Sequence, residues 1–305
     1  MSIDGKNLAD TLLETLKTRT SLLKSKGITP TLAVILVGDD PGSASYVRQK
    51  EKTAERIGAE LRVMRYGLGV TKDAIQKQIK ELNADRSIHG IIIQRPLPKQ
   101  LQDEKLLGSI SPSKDVDGFV PGSKFKVPVA IAVERILKQI FNFQFSIFKQ
   151  TEKKLNFKHW INMKNTIVIG RGETAGKPIA EYFSRLGCHV SVVHSQTTKK
   201  EKQRQIQSAD IIISCVGKKQ VIQGATLNNI EGGEAPNSIK QGATLISVGI
   251  WRDSEGKLHG DYEEKDIKDT AAFYTPTPGG VGPVNVACLI ENLLTACTSH
   301  PLSVH

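Results

Sequence analysis

The chain has 305 residues, 39% of them hydrophobic and 24% charged, an ordinary soluble balance and enough length for two domains with separate cores. No apolar run approaches the roughly 18 residues that span a bilayer. The opening MSIDGKNLAD has neither a basic region followed by an apolar stretch nor an arginine-rich amphipathic character, so a cytoplasmic protein without a membrane partner is expected. The net charge of +11 invites a nucleic-acid partner, but the basic residues are dispersed apart from one cluster at 199–204, without aromatic interleaving or a zinc pattern. No nucleic acid is therefore expected, and the surplus charge is read as favouring anionic cofactors and substrates. Cys188, Cys215, Cys288 and Cys297 show no C-x-x-C spacing and read as buried free thiols, with no metal site.

The run at 31–38, TLAVILVG, is continuously apolar and ends in glycine, as a buried parallel strand does. A turn is expected at Asp39-Asp40-Pro41-Gly42, then a helix over 44–57 stopped by Gly58. A strand over 61–66, a helix over 72–83 and a third strand over 90–94, broken by Pro96 and Pro98, complete the first series. Strands separated by helix-length segments predict βαβ units and a parallel sheet. Residues 129–148 predict a long helix, and 149–165, polar and basic, a linker or insertion. The pattern restarts with a strand at 166–170, a helix at 175–186 and strands at 189–194 and 210–215. A last strand at 244–249 follows a glycine-rich loop around Gly232-Gly233, and an amphipathic helix over 283–298 can pack back on the first domain. The expected fold is α/β with two domains. A parallel-sheet domain covers 1–137 and is completed by 283–305; a Rossmann-like domain covers 138–282, with an insertion around 138–162.

Gly170-Arg171-Gly172-Glu173-Thr174-Ala175-Gly176 lies directly between a strand and a helix. Glycines so placed let the backbone approach a pyrophosphate at the helix N-terminus. The next strand runs into His194-Ser195-Gln196-Thr197-Thr198, where no acid stands ready for a ribose hydroxyl. Hydroxyl groups and Arg171 suit a 2′-phosphate instead, so NADP is expected over NAD. His194 carries no catalytic assignment.

Ser43-Ala44-Ser45-Tyr46-Val47-Arg48-Gln49-Lys50 opens the first long helix, where Tyr46 and Lys50, four apart, share one face. That face begins where a parallel strand ends, the usual mouth of an α/β cleft. A tyrosine there can stack a planar ring, and a desolvated lysine can carry a proton; a core tyrosine beside a solvated lysine is the alternative. Gln94, at the end of the third strand, can hydrogen-bond the lysine or a ligand. Asp117, in Lys114-Asp115-Val116-Asp117-Gly118, can accept paired N–H bonds from an aminopyrimidine or serve as a turn residue. Thr275-Pro276-Thr277-Pro278-Gly279-Gly280-Val281-Gly282-Pro283 is too rigid and glycine-rich for a plain connector and reads as a loop fitted to a ligand.

VGDDPGSASYVRQK, GIIIQRPLP, KDVDG, GRGETAGKP with HSQTT, and TPTPGGVGP occur in this order, and together the chain resembles the bifunctional methylenetetrahydrofolate dehydrogenase/cyclohydrolase family from about Asp4 to Thr295. The resemblance implies oxidation of 5,10-methylene-tetrahydrofolate with NADP, hydrolysis of the methenyl product to 10-formyl-tetrahydrofolate, and a homodimer formed through the Rossmann half. It implies Lys50 as the catalytic lysine, Gln94 tuning it, Tyr46 stacking on the folate, and Asp117 anchoring the pterin, with Ser43, Pro278 and Gly280 also at the substrate. Gly170, Arg171, Gly172, Thr174, Gly176, His194, Ser195, Thr197, Val216, Gly217, Gly249 and Ile250 are implied to hold the dinucleotide. The chain departs from the family pattern at Arg95, where an apolar residue is usual, at Gly172 in place of serine, at Ser247 in place of aspartate and at Val284-Asn285 in place of Met-Thr. Insertions fall near 138–162 and 231–238. The rival readings are a dehydrogenase with little cyclohydrolase activity, a non-catalytic folate- or nucleotide-binding protein, and a basic RNA-binding protein on the same fold.

Overall fold

The computed structural model of the chain describes residues 1–147, 156–219, 221–222 and 239–299. The glycine-rich loop at Gly232-Gly233, the insertion near 231–238 and part of the segment read as a linker lie outside the described residues. The chain divides into two compact units, one of Ala9–Pro128 with Asn285–His305, the other of Met1–Leu8 with Val129–Val284.

Helix α1 (Gly5–Lys24) leads into β1 (Thr31–Val37), every residue of which is buried. Its continuous apolar run follows from its place in the centre of a parallel sheet ordered β2-β1-β3, with β2 (Glu60–Tyr66) and β3 (Gly90–Ile93) on either side. Helix α2 (Pro41–Ile57) starts three residues before the expected Ala44: Asp40 accepts the Ser43 N–H at 2.6 Å, and Pro41 occupies a first-turn position where no amide hydrogen is needed. Gly58, at φ 81°, ends it in the left-handed region. Helix α3 (Lys72–Ala84), capped by Thr71, sets Ile75, Ile79 and Leu82 against Ala33, Ile35 and Val37 of β1 and Ile91 and Ile93 of β3. A 3-10 turn (Lys99–Leu101) and α4 (Glu104–Leu107) follow.

In the other unit, α5 (Pro128–Ile147) precedes α6 (Phe157–Asn162), which lies where the sequence suggested only a linker. Asn156 caps α6, and Trp160 is buried against Phe141 and Phe157, so a few apolar residues inside a basic stretch suffice to dock it. Then come β4 (Thr166–Ile169), α7 (Gly176–Arg185), β5 (Val190–Val193), α8 (Lys199–Ser208), β6 (Ile211–Ser214) and β7 (Thr244–Ser247). The hairpin of β8 (Ile250–Arg252) and β9 (Leu258–Gly260), the short α9 (Glu264–Ile267) and β10 (Phe273–Tyr274) complete it, and α10 (Val281–Ser299) follows. The parallel sheet is ordered β10-β7-β6-β4-β5, and Met1–Ile3 hydrogen-bond to β10 at its edge. The basic cluster at 199–204 is the first part of α8, begun by the Thr198 cap, with Lys199, Lys200 and Arg204 exposed.

By length and composition alone α10 could cross a membrane, although the sequence suggested no such run; 67% of its 18-residue apolar window is buried inside the protein. Asn292 of α10 donates to Val116 O at 2.8 Å and to Lys126 O at 3.0 Å. Leu293 approaches β3 at Gly90, where an added Cβ would meet Val116 at 2.9 Å and Leu293 at 3.0 Å. Gly90→Ala is therefore expected to lower stability by about 1–3 kcal/mol, read as a lower urea midpoint for this unit; an unchanged midpoint would show that Val116 and Leu293 yield freely.

Candidate active site

In the three-stranded unit, the loops leaving the carboxyl ends of β1 and β3 carry the first cluster. The Asp40 cap fixes the start of α2, and the helix then carries Ser43, Tyr46 and Lys50 on successive turns. Lys50 is buried, and its Nζ donates to Gln94 Oε1 at 2.9 Å. Gln94 continues the line of β3, its N–H bonding Ile35 O at 2.9 Å, while its Nε2 donates to Arg95 O at 2.8 Å. That second bond orients the amide so that its oxygen faces the lysine. Ser43 Oγ donates to the same Arg95 carbonyl at 3.4 Å. Tyr46 is half-buried one turn before Lys50.

The Lys114–Gly118 motif divides its labour. Lys114 is buried and caps the end of α3, donating to Leu82 O at 2.9 Å and Asp85 O at 2.6 Å. The Asp115 carboxylate accepts the N–H groups of Gly118 at 3.1 Å and Val120 at 2.7 Å. Gly118 takes φ 74°, and a Cβ there would sit 2.6 Å from Phe125 O. These contacts shape the loop, leaving Asp117 to present its carboxyl. Burial pushes Asp117 up from the usual carboxylate range, against the pull of Lys50 and Arg95. Burial pushes the Lys50 amine down from the usual lysine range, opposed by Asp117. Arg95 itself is held over the Phe119 ring at 4.1 Å.

In the five-stranded unit, Gly170 ends β4 at φ 105°, and a Cβ on Gly176, the first residue of α7, would lie 2.1 Å from Gly170 O. Gly170 and Gly176 thus permit close approach of strand and helix, whereas Gly172 faces open space. That open backbone at a helix N-terminus fits a pyrophosphate. Arg171 Nη2 donates to Gln196 Oε1 at 2.9 Å, tying the loop after β4 to the loop after β5. His194 Nδ1 accepts the Gln196 N–H at 3.2 Å, and Thr197 Oγ1 accepts the His194 N–H at 3.0 Å, so both shape the loop that exposes Ser195. Thr174 is exposed in the loop before α7. Val216, Gly217, Gly249 and Ile250 lie after β6 and β7; Gly217 takes φ 69° against Ile250 O. Pro278 follows a cis peptide bond, and Gly280 packs so tightly that a Cβ would meet Pro276 O at 2.5 Å.

The structure adds residues that the motifs did not reveal. Asp261 and Tyr262 are buried, and Tyr262 donates to Thr275 O at 2.7 Å and Leu245 O at 3.2 Å. Ser247, at the departure from the family aspartate, donates its N–H to Thr275 Oγ1 at 2.9 Å and its hydroxyl to Gly249 O at 3.1 Å. None of the four cysteines is in a disulfide; burial holds the Cys188 thiol at about 11 and Cys297 at about 12 and pushes Cys215 higher still, so these three are not activated nucleophiles. Among the described residues, no group of three His, Cys, Asp or Glu is placed to hold a metal ion.

Comparison with known proteins bears on both clusters. Residues 3–117 match the catalytic domain of the tetrahydrofolate dehydrogenase/cyclohydrolase family, and residues 153–301 match its NAD(P)-binding domain. Bifunctional protein FolD of Acidovorax sp. (strain JS42) is 36% identical over 303 residues, covering 96% of this chain and 97% of the relative. The solved bifunctional FolD dehydrogenase/cyclohydrolase of Campylobacter jejuni superposes with a TM-score of 0.83 at 32% identity, covering 98% of each chain. The dehydrogenase-cyclohydrolase of Trypanosoma brucei, solved with NADP and an inhibitor, does so with a TM-score of 0.83 at 29% identity, covering 98% of this chain and 97% of its own. With both domains matched in order along nearly the whole length, the chain belongs to the tetrahydrofolate dehydrogenase/cyclohydrolase family.

Proposed function

We propose that this protein oxidises 5,10-methylene-tetrahydrofolate with NADP and hydrolyses the 5,10-methenyl product to 10-formyl-tetrahydrofolate, acting in one-carbon metabolism. The observation that carries this reading is the buried Lys50 amine bonded to Gln94 and facing the field of Asp117, in a chain that also retains the dinucleotide loop. In this reading the folate-binding domain, 1–137 completed by 283–305, takes in the three-stranded unit, and the dinucleotide domain, 138–282, most of the five-stranded one; residues 1–8, 129–137 and 283–284, expected in the first domain, fall in the five-stranded unit.

The first reaction leaves a cation shared between two folate nitrogens, so positioning matters more than a base. Tyr46 stacks on the folate and Asp117 holds the pterin, with Ser43 alongside; Pro278 and Gly280 join the substrate set on the strength of their motif. NADP, when bound, supplies the hydride acceptor. Gly170, Gly172 and Gly176 admit its pyrophosphate, Thr174, Val216, Gly217, Gly249 and Ile250 line its path, and Arg171, His194, Ser195 and Thr197 form the end that takes the 2′-phosphate. No acid stands after β5 to favour an unphosphorylated ribose.

In the second reaction water adds to the methenyl carbon and the C–N5 bond breaks, with net release of one proton. A neutral Lys50 takes the proton from the attacking water, and desolvation makes that neutral form available at lower pH than for an exposed lysine. The Gln94 oxygen accepts from the lysine in either protonation state, so it orients without trapping the charge. A homodimer formed through the five-stranded unit and a cytoplasmic location complete the proposal.

An assay following methenyl-tetrahydrofolate and reduced nicotinamide together, with NADP and NAD in parallel, tests this. Reduced cofactor forming while the methenyl compound fails to accumulate, beyond its spontaneous hydrolysis, is the expected result, with NADP used more efficiently. Accumulating methenyl product would leave a dehydrogenase alone, and equal efficiency with NAD would remove the 2′-phosphate assignment. Lys50→Met should lower cyclohydrolase turnover about 10²–10⁴-fold while part of the dehydrogenase rate survives; equal loss of both would make Lys50 a binding residue. Gln94→Glu places a carboxylate against the amine and favours the ammonium. The rising limb of the cyclohydrolase kcat–pH profile should then move up by about 1–3 pH units, and an unmoved limb would count against Lys50 as the proton acceptor.

A further inference from the structure

The loop that follows β6 encloses a carboxylate. Ser214 Oγ donates to Asp261 Oδ2 at 2.6 Å, and three successive backbone N–H groups turn to the same side chain: Val216 at 3.0 Å, Gly217 at 2.7 Å and Lys218 at 3.0 Å. Asp261 is fully buried, 0% exposed. Gly249 lies directly against it, since a Cβ there would sit 2.3 Å from Asp261 Oδ2. The Asp261 N–H donates to Ser247 Oγ at 3.0 Å, and the Asp261 carbonyl accepts from Val221 and Ile222. One residue thus fastens together the ends of β6 and β7 and the start of the segment after Lys218.

Successive N–H groups around a left-handed residue form a concavity that binds anions. Here the chain fills that concavity with its own carboxylate. A phosphate is thereby kept out of the loop after β6, and the open backbone at Gly172 is left to receive the pyrophosphate. The N–H groups of Val216 and Gly217 are already engaged, so this loop offers a dinucleotide its carbonyls and the Val216 side chain.

We infer that Asp261 is a positioning residue for the dinucleotide, an internal counter-anion that holds the 215–218 loop and Gly249 in the form that binds NADP. This rests on the reading of the five-stranded unit as the dinucleotide domain. It gives Asp261 a role away from the folate chemistry, so loss of dinucleotide affinity should outrun any loss of hydrolysis.

The test is calorimetric titration of NADP into the wild-type protein and Asp261→Ala, with hydrolysis of methenyl-tetrahydrofolate measured in the absence of dinucleotide. Wild-type protein that takes up no NADP would overturn the dinucleotide reading itself. Given wild-type binding, Asp261→Ala should weaken NADP tenfold or more, a loss at least tenfold larger than any fall in hydrolysis rate. Added formate, a small carboxylate able to enter the vacated nest, should restore part of the affinity in this variant and leave the wild type unaffected. Unchanged NADP affinity, a parallel loss of hydrolysis, or a loss that formate does not relieve would overturn the proposal. If Asp261→Ala does not fold, Asp261→Asn carries the test. Its amide keeps the volume but sets a donor against the Ser214 and Val216 donors, so NADP should bind several-fold more weakly, and wild-type affinity would overturn the proposal.

Discussion

Withdrawal of the Lys50 amine from water is the constraint around which the three-stranded unit arranges its site. An ammonium ion in apolar surroundings is costly, and the cost is relieved by losing the proton, by a hydrogen bond, or by a nearby opposite charge. Burial draws the amine down from the usual lysine range, Gln94 supplies the hydrogen bond and Asp117 the opposite charge. Gln94 accepts from the lysine at 2.9 Å without adding a charge. Asp117 contributes attraction, yet its own burial disfavours the charged carboxylate that would hold the proton on the lysine, an effect that Arg95 opposes. The amide at position 94 is in turn aimed by its bond to the Arg95 carbonyl, which Ser43 also approaches. The orientation of one nitrogen therefore depends on the exact start of α2, on the end of β3, and on the loop built by Lys114 and Asp115.

Much of this was legible in the chain because parallel strands leave a plain trace. TLAVILVG reads as a buried central strand, and β1 lies between two neighbours with every residue covered. The helical spacing of Tyr46 and Lys50, and the motifs around Gln94 and Asp117, singled out Lys50, Gln94 and Asp117, which the fold brings together. Spacing alone left an ordinary solvated lysine open as a reading of Lys50; only the burial and the Gln94 bond of the folded chain give its amine a setting for chemistry.

Other elements left no such trace. The α6 helix is six residues in a basic stretch, held by Trp160 packing on residues of α5 rather than by its own pattern. The β8–β9 hairpin depends on Trp251 stacking on His259 at 4.6 Å, a contact with no periodic signature. Asp261 follows a glycine in a short polar run, and the donors its carboxylate accepts lie 43 to 47 residues earlier. A carboxylate whose donors are all so distant is visible only after the sheet has formed. The two loops of the five-stranded unit also use opposite devices: one leaves its backbone open at Gly172, the other turns its N–H groups onto a carboxylate.

The course of the chain has a consequence for synthesis. Asn292 reaches back 176 residues to Val116 and 166 residues to Lys126, and Leu293 packs beside Gly90. The three-stranded unit therefore lacks one of its walls until the residues from 285 onward have been made, while the intervening unit, apart from its few N-terminal residues, is contiguous and can condense as it appears. A nascent chain arrested before residue 285 would carry a nearly complete nucleotide-side unit and a folate-side sheet with one apolar flank still open to water. Arrest or slow synthesis across residues 285–299 should thus expose the older part of the chain, not the newer, to chaperones and proteases.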